Sequence, residues 1–411
     1  MAVGIGAKKP SDDFVDALSG NYHSVGYNDV LARRLLMNEE LDCLIFAEMQ
    51  NEAVVHFLGY QRFAPIQILV MGSPVTSGNP SIDYFISGDR LEHPFRTHMS
   101  GSKISEEHYS EQVVLLDGQA ISFPKLYSFP LQDAKLAAGD AKIAQQSISG
   151  GIDKFGIPNY LKNGSFTLYM CFQSLHKLQP SFDNVLAQIL HADQKAHIIM
   201  QAGRKAQITD IITTRIMSLL IEKFSIQSAK ETFSRIIFIP RVTSNEIMNL
   251  LKIGTVVLHP WPFGGSKTAA DAIGAGVPLV TYPQPYLRGR MAASFYITME
   301  LHTIDPDISA YSCCVASSAS DYISKALRLA NDREYRRKVS IAITQRSHRI
   351  WDDKQTSFEW ARFLTRALGV VIHYDELALE LDYHPETWQS DDALRKGIVK
   401  AQQQWKFVDI I

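Results

Sequence analysis

A segment at residues 259–271, HPWPFGGSKTAAD, combines the residue types that bind anions. An apolar run at 255–258 precedes it and predicts a strand, while the Gly-Gly-Ser run at 264–266 predicts the first turn of a helix. The free N–H groups and the positive dipole end of such a helix favour a phosphate, and nearby Ser, Lys and Thr side chains add donors. The segment therefore indicates a phosphate or diphosphate site, although an ordinary capped helix would show the same pattern.

A second candidate anion-binding element is the segment 171–180, CFQSLHKLQP. It follows a predicted strand at 166–171, so its polar residues would emerge at the same sheet edge as the 264–268 loop. Lys177 could pair there with a phosphate. A single lysine is also commonly a solvated surface residue, so the sequence leaves both roles open.

The elements around these two segments predict an α/β protein. From residue 165 onward, strands and helices alternate, which is typical of a parallel sheet with helices on both faces. In such sheets, ligands bind outside the carboxyl ends of the strands. The predicted strands of this part are 166–171, 196–201, 235–239, 255–258 and 279–282, and the predicted helices are 182–192, 208–224, 245–251 and 287–301.

The remaining segments predict a first α/β lobe and a helical end. The first lobe has predicted helices at 27–38 and 53–60, strands at 41–47, 65–71, 82–87 and 112–116, and a surface loop at 88–110. A Gly- and Pro-interrupted stretch at 118–164 is the expected connector between lobes. After the second lobe, the predicted helices are 320–331, 332–347, 353–368 and 391–405.

Composition excludes several classes of protein. The chain has 411 residues, of which 46% are hydrophobic and 20% charged, as in a soluble globular protein. A net charge of -2 gives no general attraction to nucleic acid or anionic lipid, and no apolar run reaches the ~18 residues of a membrane span. The four cysteines lack C-x-x-C spacing, which favours reduced core thiols and a cytosolic protein, or a nucleocytoplasmic one in a eukaryote.

Several ordered motifs resemble the catalytic region of the O-linked N-acetylglucosamine transferase family. As a set they are specific, although each alone is weak. They are RFAPIQ at 62–67, GSPVTSG at 72–78, IDYFIS at 82–87, FQSLHKLQP at 172–180, GSKTAAD at 265–271, GAGVPLVT at 274–281 and RMAAS at 290–294.

The resemblance implies an α/β fold of the GT-B type with two Rossmann-like lobes. We expect a partial N-terminal lobe and connector at 1–160, a nucleotide-sugar-binding lobe at 161–345 and C-terminal helices at 346–411. No counterpart of the family's first N-lobe strands, which supply an active-site histidine, precedes residue 27. The N-terminal lobe is therefore expected to be truncated, and no general base can be assigned.

The same resemblance implies an inverting glycosyltransferase that uses neither a metal nor a cofactor. Its donor would be a UDP-sugar, with UDP-N-acetylglucosamine expected, and its acceptor a Ser or Thr of an intracellular protein. Lys177 would neutralise the leaving diphosphate, and Asp271 would face the ribose or orient the loop; a plain first-turn carboxylate is an equally good interpretation of Asp271. The remaining expected donor-binding residues are Gln173, Ser174, Val242, Gly264, Gly265, Ser266, Lys267 and Thr268.

Departures from the family pattern leave alternatives open. Ser266 stands where the family usually has His, and Ser244 and Ile247 stand where it has Lys and His. The alternatives are protein O-fucosyl or N-glucosyl transfer on the same scaffold, or a catalytically inactive nucleotide-sugar-binding relic. Among the histidines, His108 and His176 are expected nearest the cleft, in ordinary roles. The oligomeric state is not predicted.

Overall fold

The computed structural model describes residues 2–4, 22–50, 52–72, 74–96, 108–123, 155, 157, 166–251, 253–351 and 353–369. The chain divides into two compact units, Met1–Thr356 and Ser357–Ile411. The described part of the second unit is helical and ends at residue 369. All the sites discussed below belong to the first unit.

The N-terminal part of the first unit is built on parallel strands. A short ladder pairs β1, Ala2–Gly4, with β2, Tyr22–Ser24. A four-stranded parallel sheet follows, with its described strands in chain order: β3 Cys43–Phe46, β4 Ile66–Val70, β5 Tyr84–Gly88 and β6 Gln112–Leu116. The helices of this lobe are α1 Asp29–Asn38, α2 Ala53–Leu58 and α3 Asp89–Arg96.

The C-terminal lobe contains a five-stranded parallel sheet among the described residues, in the order β11-β10-β7-β8-β9. Its chain first forms β7, β8 and β9, and then crosses to the other side of β7 for β10 and β11. The strand order therefore reverses between β7 and β10, which is where open α/β sheets bind ligands. The strands are β7 Thr167–Cys171, β8 Ala196–Gln201, β9 Ile236–Ile239, β10 Val256–Leu258 and β11 Leu279–Val280.

Helices cover this sheet and complete the lobe. Every residue of β7 and β8 is buried, because helices pack on both faces of the sheet. The helices are α4 Pro180–Ala192, α5 Ala206–Lys223, α6 Ile226–Phe233, α7 Ser244–Leu251, α8 Lys267–Gly274, α9 Met291–Met299, α10 Ala310–Cys313, α11 Ala319–Asn331 and α12 Arg333–Arg346. The last described helix, α13 Lys354–Ala367, belongs mostly to the second unit. Short 3-10 turns occupy Leu175–Lys177, Leu287–Gly289, Leu301–Thr303 and Ser347–Ile350.

A buried ion pair joins the two lobes. Arg290, at the start of α9, contacts Glu92 of α3 at 2.7 Å, and their side chains are 4% and 1% exposed. Glu92 also accepts hydrogen bonds from Tyr109 and Ser87. Because the pair satisfies both charges out of water, removing one partner would leave a buried charge without compensation.

The predicted surface loop at 88–110 is wrong in its first part, where α3 forms. Its polar, His-containing sequence indicated a loop. In the structure, Leu91 is fully buried and Glu92 pairs with Arg290, almost 200 residues further along the chain. The long-range contacts stabilise a helix that the local pattern does not predict.

Two helical predictions in the C-terminal lobe also need correction. Helix α6 was not predicted; it begins at the Ser225 cap, whose hydroxyl accepts from the Ser228 amide at 3.2 Å. The helix predicted at 287–301 is divided into a 3-10 turn, α9 and a second 3-10 turn. At the first break, Gly289 lies so close to the Pro262 carbonyl that a Cβ atom there would clash.

The cysteine prediction holds only in part. Cys43 and Cys171 are free, but Cys313 and Cys314 are paired as a vicinal disulfide, contrary to the expectation of reduced thiols. The connector predicted at 118–164 lies mostly outside the described residues, and the helix predicted at 391–405 lies wholly outside them.

Candidate functional site

The turn that carries Lys177 follows β7 directly and lies against the 259–271 segment. A 3-10 turn, Leu175–Lys177, buries Leu175 and brings the lysine back over the sheet edge. Lys177 Nζ donates to the Gly264 carbonyl at 2.9 Å and lies 4.2 Å from the centroid of the Phe263 ring. Two predicted anion-binding elements, from the adjacent strands β7 and β10, therefore meet at the switch point of the sheet.

An ion pair holds this turn in place. Arg215 of α5 donates to the Leu178 carbonyl at 3.0 Å and pairs with Asp183 of α4 at 2.5 Å. Leu178 in turn forms an antiparallel bridge with Pro262. The position of the Lys177 backbone is thus fixed by contacts with two helices and with the loop.

Lys177 is a half-buried cation. Partial burial lowers its pKa from 10.5 to about 8. Within the part of the chain that the structure describes, no carboxylate forms an ion pair with Lys177; its donors reach the Gly264 carbonyl and, at 3.4 Å, the side-chain oxygen of Gln173. A half-buried ammonium held by neutral oxygens attracts an anion, because the anion supplies the missing counter-charge.

His259 holds the loop in place through a hydrogen bond to Gly265. The imidazole is buried, and burial lowers its pKa to about 4, so the ring is neutral near pH 7. Its Nε2 accepts from the Gly265 amide at 2.7 Å, which leaves Nδ1 as the protonated nitrogen, 2.9 Å from the Thr281 hydroxyl. The histidine therefore links the loop to the residue after β11 and sets the direction of the Gly265 peptide.

Gly265 has room for no side chain. A Cβ atom there would collide with the Thr268 hydroxyl and the Gln173 amide. These two side chains hydrogen-bond to each other, with Gln173 donating, and Gln173 is buried. Glycine thus allows the β7 turn and the α8 start to approach each other closely.

The first turn of α8 presents donors at the surface of the site. Ser266 is the N-cap residue, it is exposed, and its side chain forms no cap hydrogen bond. Lys267, half exposed, pairs with the buried Asp271 at 2.9 Å. This contact is compatible with a role of Asp271 in orienting the loop side chains. The alternative interpretation as a first-turn carboxylate is wrong, because Asp271 lies beyond the first turn of α8. No acidic residue lies in the first turn to repel an anion.

Val242 lies at the same edge of the sheet but apart from this cluster, whereas Ser174 contacts it through its backbone. Val242 follows β9, and its carbonyl is 3.5 Å from the side-chain nitrogen of Gln201 at the end of β8. Ser174, half-buried, precedes the Lys177 turn, and its carbonyl accepts from the Lys177 amide at 2.9 Å. Direct contacts connect the predicted residues Gln173, Lys177, Gly264, Gly265 and Thr268. Among the described residues, no hydrogen bond joins Val242 or Ser174 to the loop 264–268 itself.

The histidine that contacts the loop was missed by sequence reasoning. His176 is exposed, and His108 packs against Tyr286 with ring centroids 4.8 Å apart and ring planes tilted by 41°. His259 instead contacts Gly265. Its position, directly after the buried strand β10 and five residues before Gly264, was the signal that could have identified it.

Two parallel-sheet lobes with a Gly-rich loop at the switch point of the second are the architecture of the GT-B class. The family model described as glycosyl transferase family 41 matches residues 119–358, more than half of the chain. The chain belongs to this family of transferases.

Plant proteins are among the relatives by sequence. SPINDLY of Petunia hybrida, named as a UDP-N-acetylglucosamine–peptide N-acetylglucosaminyltransferase, is 23% identical over 310 residues. The match covers 75% of this chain and 28% of the petunia protein. SEC of Arabidopsis thaliana, with the same type of name, is 22% identical over 306 residues, or 74% of this chain and 26% of that protein. The chain thus spans under a third of these relatives' length.

Solved structures confirm the GT-B fold. An O-GlcNAc transferase variant of Thermobaculum terrenum superposes with a TM-score of 0.64 at 18% identity, covering 88% of this chain and 59% of that chain. Anabaena HepE, solved in complex with UDP and glucose, gives a TM-score of 0.52 at 13% identity, covering 89% and 91%. Among the described residues, no helix is long and apolar enough to cross a membrane.

Proposed function

We propose that this chain binds a UDP-sugar at the loop 264–268 and transfers the sugar, with inversion, to a Ser or Thr hydroxyl of a protein. One observation carries the donor half of the proposal: the half-buried Lys177 ammonium lies at the Gly264 carbonyl beside the first turn of α8. A departing diphosphate would meet a fixed cation and the positive end of a helix there. HepE, with UDP in its structure, and the names of the plant relatives support a UDP-sugar.

Each residue of the cluster has a separate task in this proposal. Lys177 neutralises the charge that develops on the leaving diphosphate. The Gly265 amide is already bonded to His259, so the amides and side chains from Ser266 to Thr268 bind the phosphate oxygens. Asp271 holds Lys267, which would exchange this partner for a phosphate. Backbone at 241–243, including Val242, contacts the uracil. No metal takes part in the proposed reaction.

The acceptor and the compartment are also part of the proposal. The printed names of the relatives include a peptide acceptor, which favours Ser or Thr of a protein in the cytosol or nucleus. The alternatives are O-fucosyl or N-glucosyl transfer to protein. Ser266, Ser244 and Ile247, where the sequence departs from the family pattern, favour the further alternative of a nucleotide-sugar-binding protein without turnover.

Calorimetric titration with UDP and GDP tests the donor site. We expect UDP binding in the wild type, its loss in Lys177→Ala and its retention in Lys195→Ala. Lys195 is an exposed lysine that precedes β8, at the opposite edge of the sheet, and so serves as the matched control. Binding of neither nucleotide to the wild type would refute the proposal.

A release assay then separates transfer from binding alone. The wild type is mixed with a Ser- and Thr-containing peptide and, in turn, with UDP-N-acetylglucosamine, UDP-glucose and GDP-fucose. Peptide-dependent release of UDP from the first donor supports the proposal. Release from one of the others supports the corresponding alternative, and UDP binding without any release indicates a binding protein.

A further inference from the structure

A cavity of about 280 Å³ lies between the two lobes, beside the donor loop. Its N-lobe wall includes Thr76 and His108, and its C-lobe wall includes Tyr286, Arg288 and Arg290. The Gly264 amide donates to the Arg288 carbonyl at 3.0 Å. Arg288, which lines the cavity, is thus hydrogen-bonded through its backbone to the loop that would hold the diphosphate. The cavity therefore adjoins the proposed donor site.

Most polar groups of the cavity wall are already satisfied by protein partners. Arg290 pairs with Glu92, and the Tyr109 hydroxyl donates to the same carboxylate at 2.9 Å. The Thr76 hydroxyl donates to Glu111 at 2.7 Å, and Glu111 is further engaged by Ser77 and Ser110. These charges and hydroxyls hold the wall together and leave little capacity for a ligand.

Arg288 differs from its neighbours. Its guanidinium lies 5.2 Å from the centroid of the Tyr286 ring, and its Nε is buried without a hydrogen-bond partner. Among the ion pairs and hydrogen bonds of the described residues, none engages the Arg288 side chain. The guanidinium therefore faces the cavity as a cation that has aromatic support and no counter-charge.

The chemistry of this wall selects an anion. A guanidinium fork matches a carboxylate or phosphate in two hydrogen bonds, and it binds neutral groups less well. His108, which packs against Tyr286 from the N-lobe wall, adds a ring nitrogen to the same cavity. Tyr286 is 45% exposed, so the aromatic rim is open to a polypeptide arriving from solvent.

We infer that the interlobe cavity receives an acidic side chain of the acceptor polypeptide, which Arg288 binds next to the hydroxyl that accepts the sugar. This inference rests on the proposed function. It adds the class of acceptor, a Ser or Thr with a nearby Asp or Glu, and it identifies Arg288 as the residue that determines this preference. A charged group on the donor sugar has the same chemistry, and the test must distinguish the two sources.

Fluorescence anisotropy with labelled peptides tests the preference without requiring turnover. Three peptides are used in saturating UDP: one with a Ser flanked by glutamates, one with the glutamates replaced by glutamines, and, for Arg288→Glu, one with the glutamates replaced by lysines. For the wild type we expect the Glu peptide to bind at least about tenfold more tightly, as a charge-assisted pair provides. Arg288→Gln should abolish the difference, Arg288→Lys should keep part of it, and Arg288→Glu should reverse it in favour of a lysine-flanked peptide.

Controls separate failure of this inference from failure of the donor site. Arg34→Gln removes an exposed arginine of α1 and should preserve the preference for the Glu peptide. UDP calorimetry on each variant reports whether the donor loop is intact. UDP binding with equal affinity for the two peptides would overturn the inference and leave the donor proposal standing. Tighter binding of UDP-glucuronic acid than of UDP-N-acetylglucosamine, if it depends on Arg288, would overturn the inference in favour of a charged donor.

Discussion

The low pKa of Lys177 predicts how UDP binding depends on pH. A lysine is charged below its pKa, and this pKa is about 8 in the free protein. Raising the pH through 8 therefore removes the cation that would meet the diphosphate. The charged fraction falls from about ten elevenths at pH 7 to about one eleventh at pH 9, so the affinity for UDP should fall roughly tenfold over this interval.

Replacement by arginine provides the matched control. Arginine stays charged throughout this range, so Lys177→Arg should bind UDP with an affinity that does not fall in this way, even if the longer side chain weakens binding at every pH. The variant also reports any titration of UDP itself, which is common to both proteins. Calorimetry at pH 7, 8 and 9, in buffers of equal ionic strength, measures the two profiles.

The comparison has a clear negative outcome. Parallel profiles for the wild type and Lys177→Arg would show that the Lys177 ammonium does not titrate in this range or does not contact the diphosphate. A wild-type affinity that is constant from pH 7 to pH 9 would show the same. Either result would refute the argument that burial beside Gly264 prepares this lysine for an anion.

Three further predictions concern the surroundings of this lysine. His259 has a pKa of about 4 in the folded protein against 6.5 in the unfolded chain, so acidification protonates the unfolded chain first. The free energy of unfolding should therefore fall by about 2 kcal/mol between pH 7.5 and pH 5. Denaturant titration at the two pH values should find this component missing in His259→Gln. Gly265→Ala should reduce UDP affinity at least about tenfold in calorimetry, because the new methyl group must separate Gln173 from Thr268, and an unchanged affinity would count against the close approach. Arg215→Met should lower the free energy of unfolding by about 3 kcal/mol, since it leaves the buried carboxylate of Asp183 without a counter-charge, and it should also weaken UDP binding. Adding Asp183→Leu should recover the stability but not the UDP affinity.

The second lobe could be predicted well because its signals are local. Buried strands read as continuous apolar runs, and Gly and Pro mark their ends, so β8 has the bounds 196–201 expected from the sequence. The proximity of Lys177 and Gly264 also followed from a general rule, because both come from the carboxyl ends of strands in one parallel sheet.

Features set by distant residues could not be predicted in this way. Helix α3 depends on a partner in the other lobe, and His259 gains its role from Gly265 and from Thr281, on a neighbouring element. The position of Val242 relative to the loop is likewise set by the geometry of the sheet. The donor-site residues themselves stay predictions, since the fold shows where they lie and leaves open what they bind.

The ion pair between Glu92 and Arg290 has a consequence for dissecting the protein. A fragment confined to the C-terminal lobe would retain Arg290, which donates to the Gln284 carbonyl at 2.9 Å, but would lack its carboxylate. Water would then reach the neighbouring residue Arg288, whose carbonyl accepts from the Gly264 amide. The C-terminal lobe should therefore not be tested in isolation, because its loop at Gly264 is connected through the segment 288–290 to a glutamate of the other lobe.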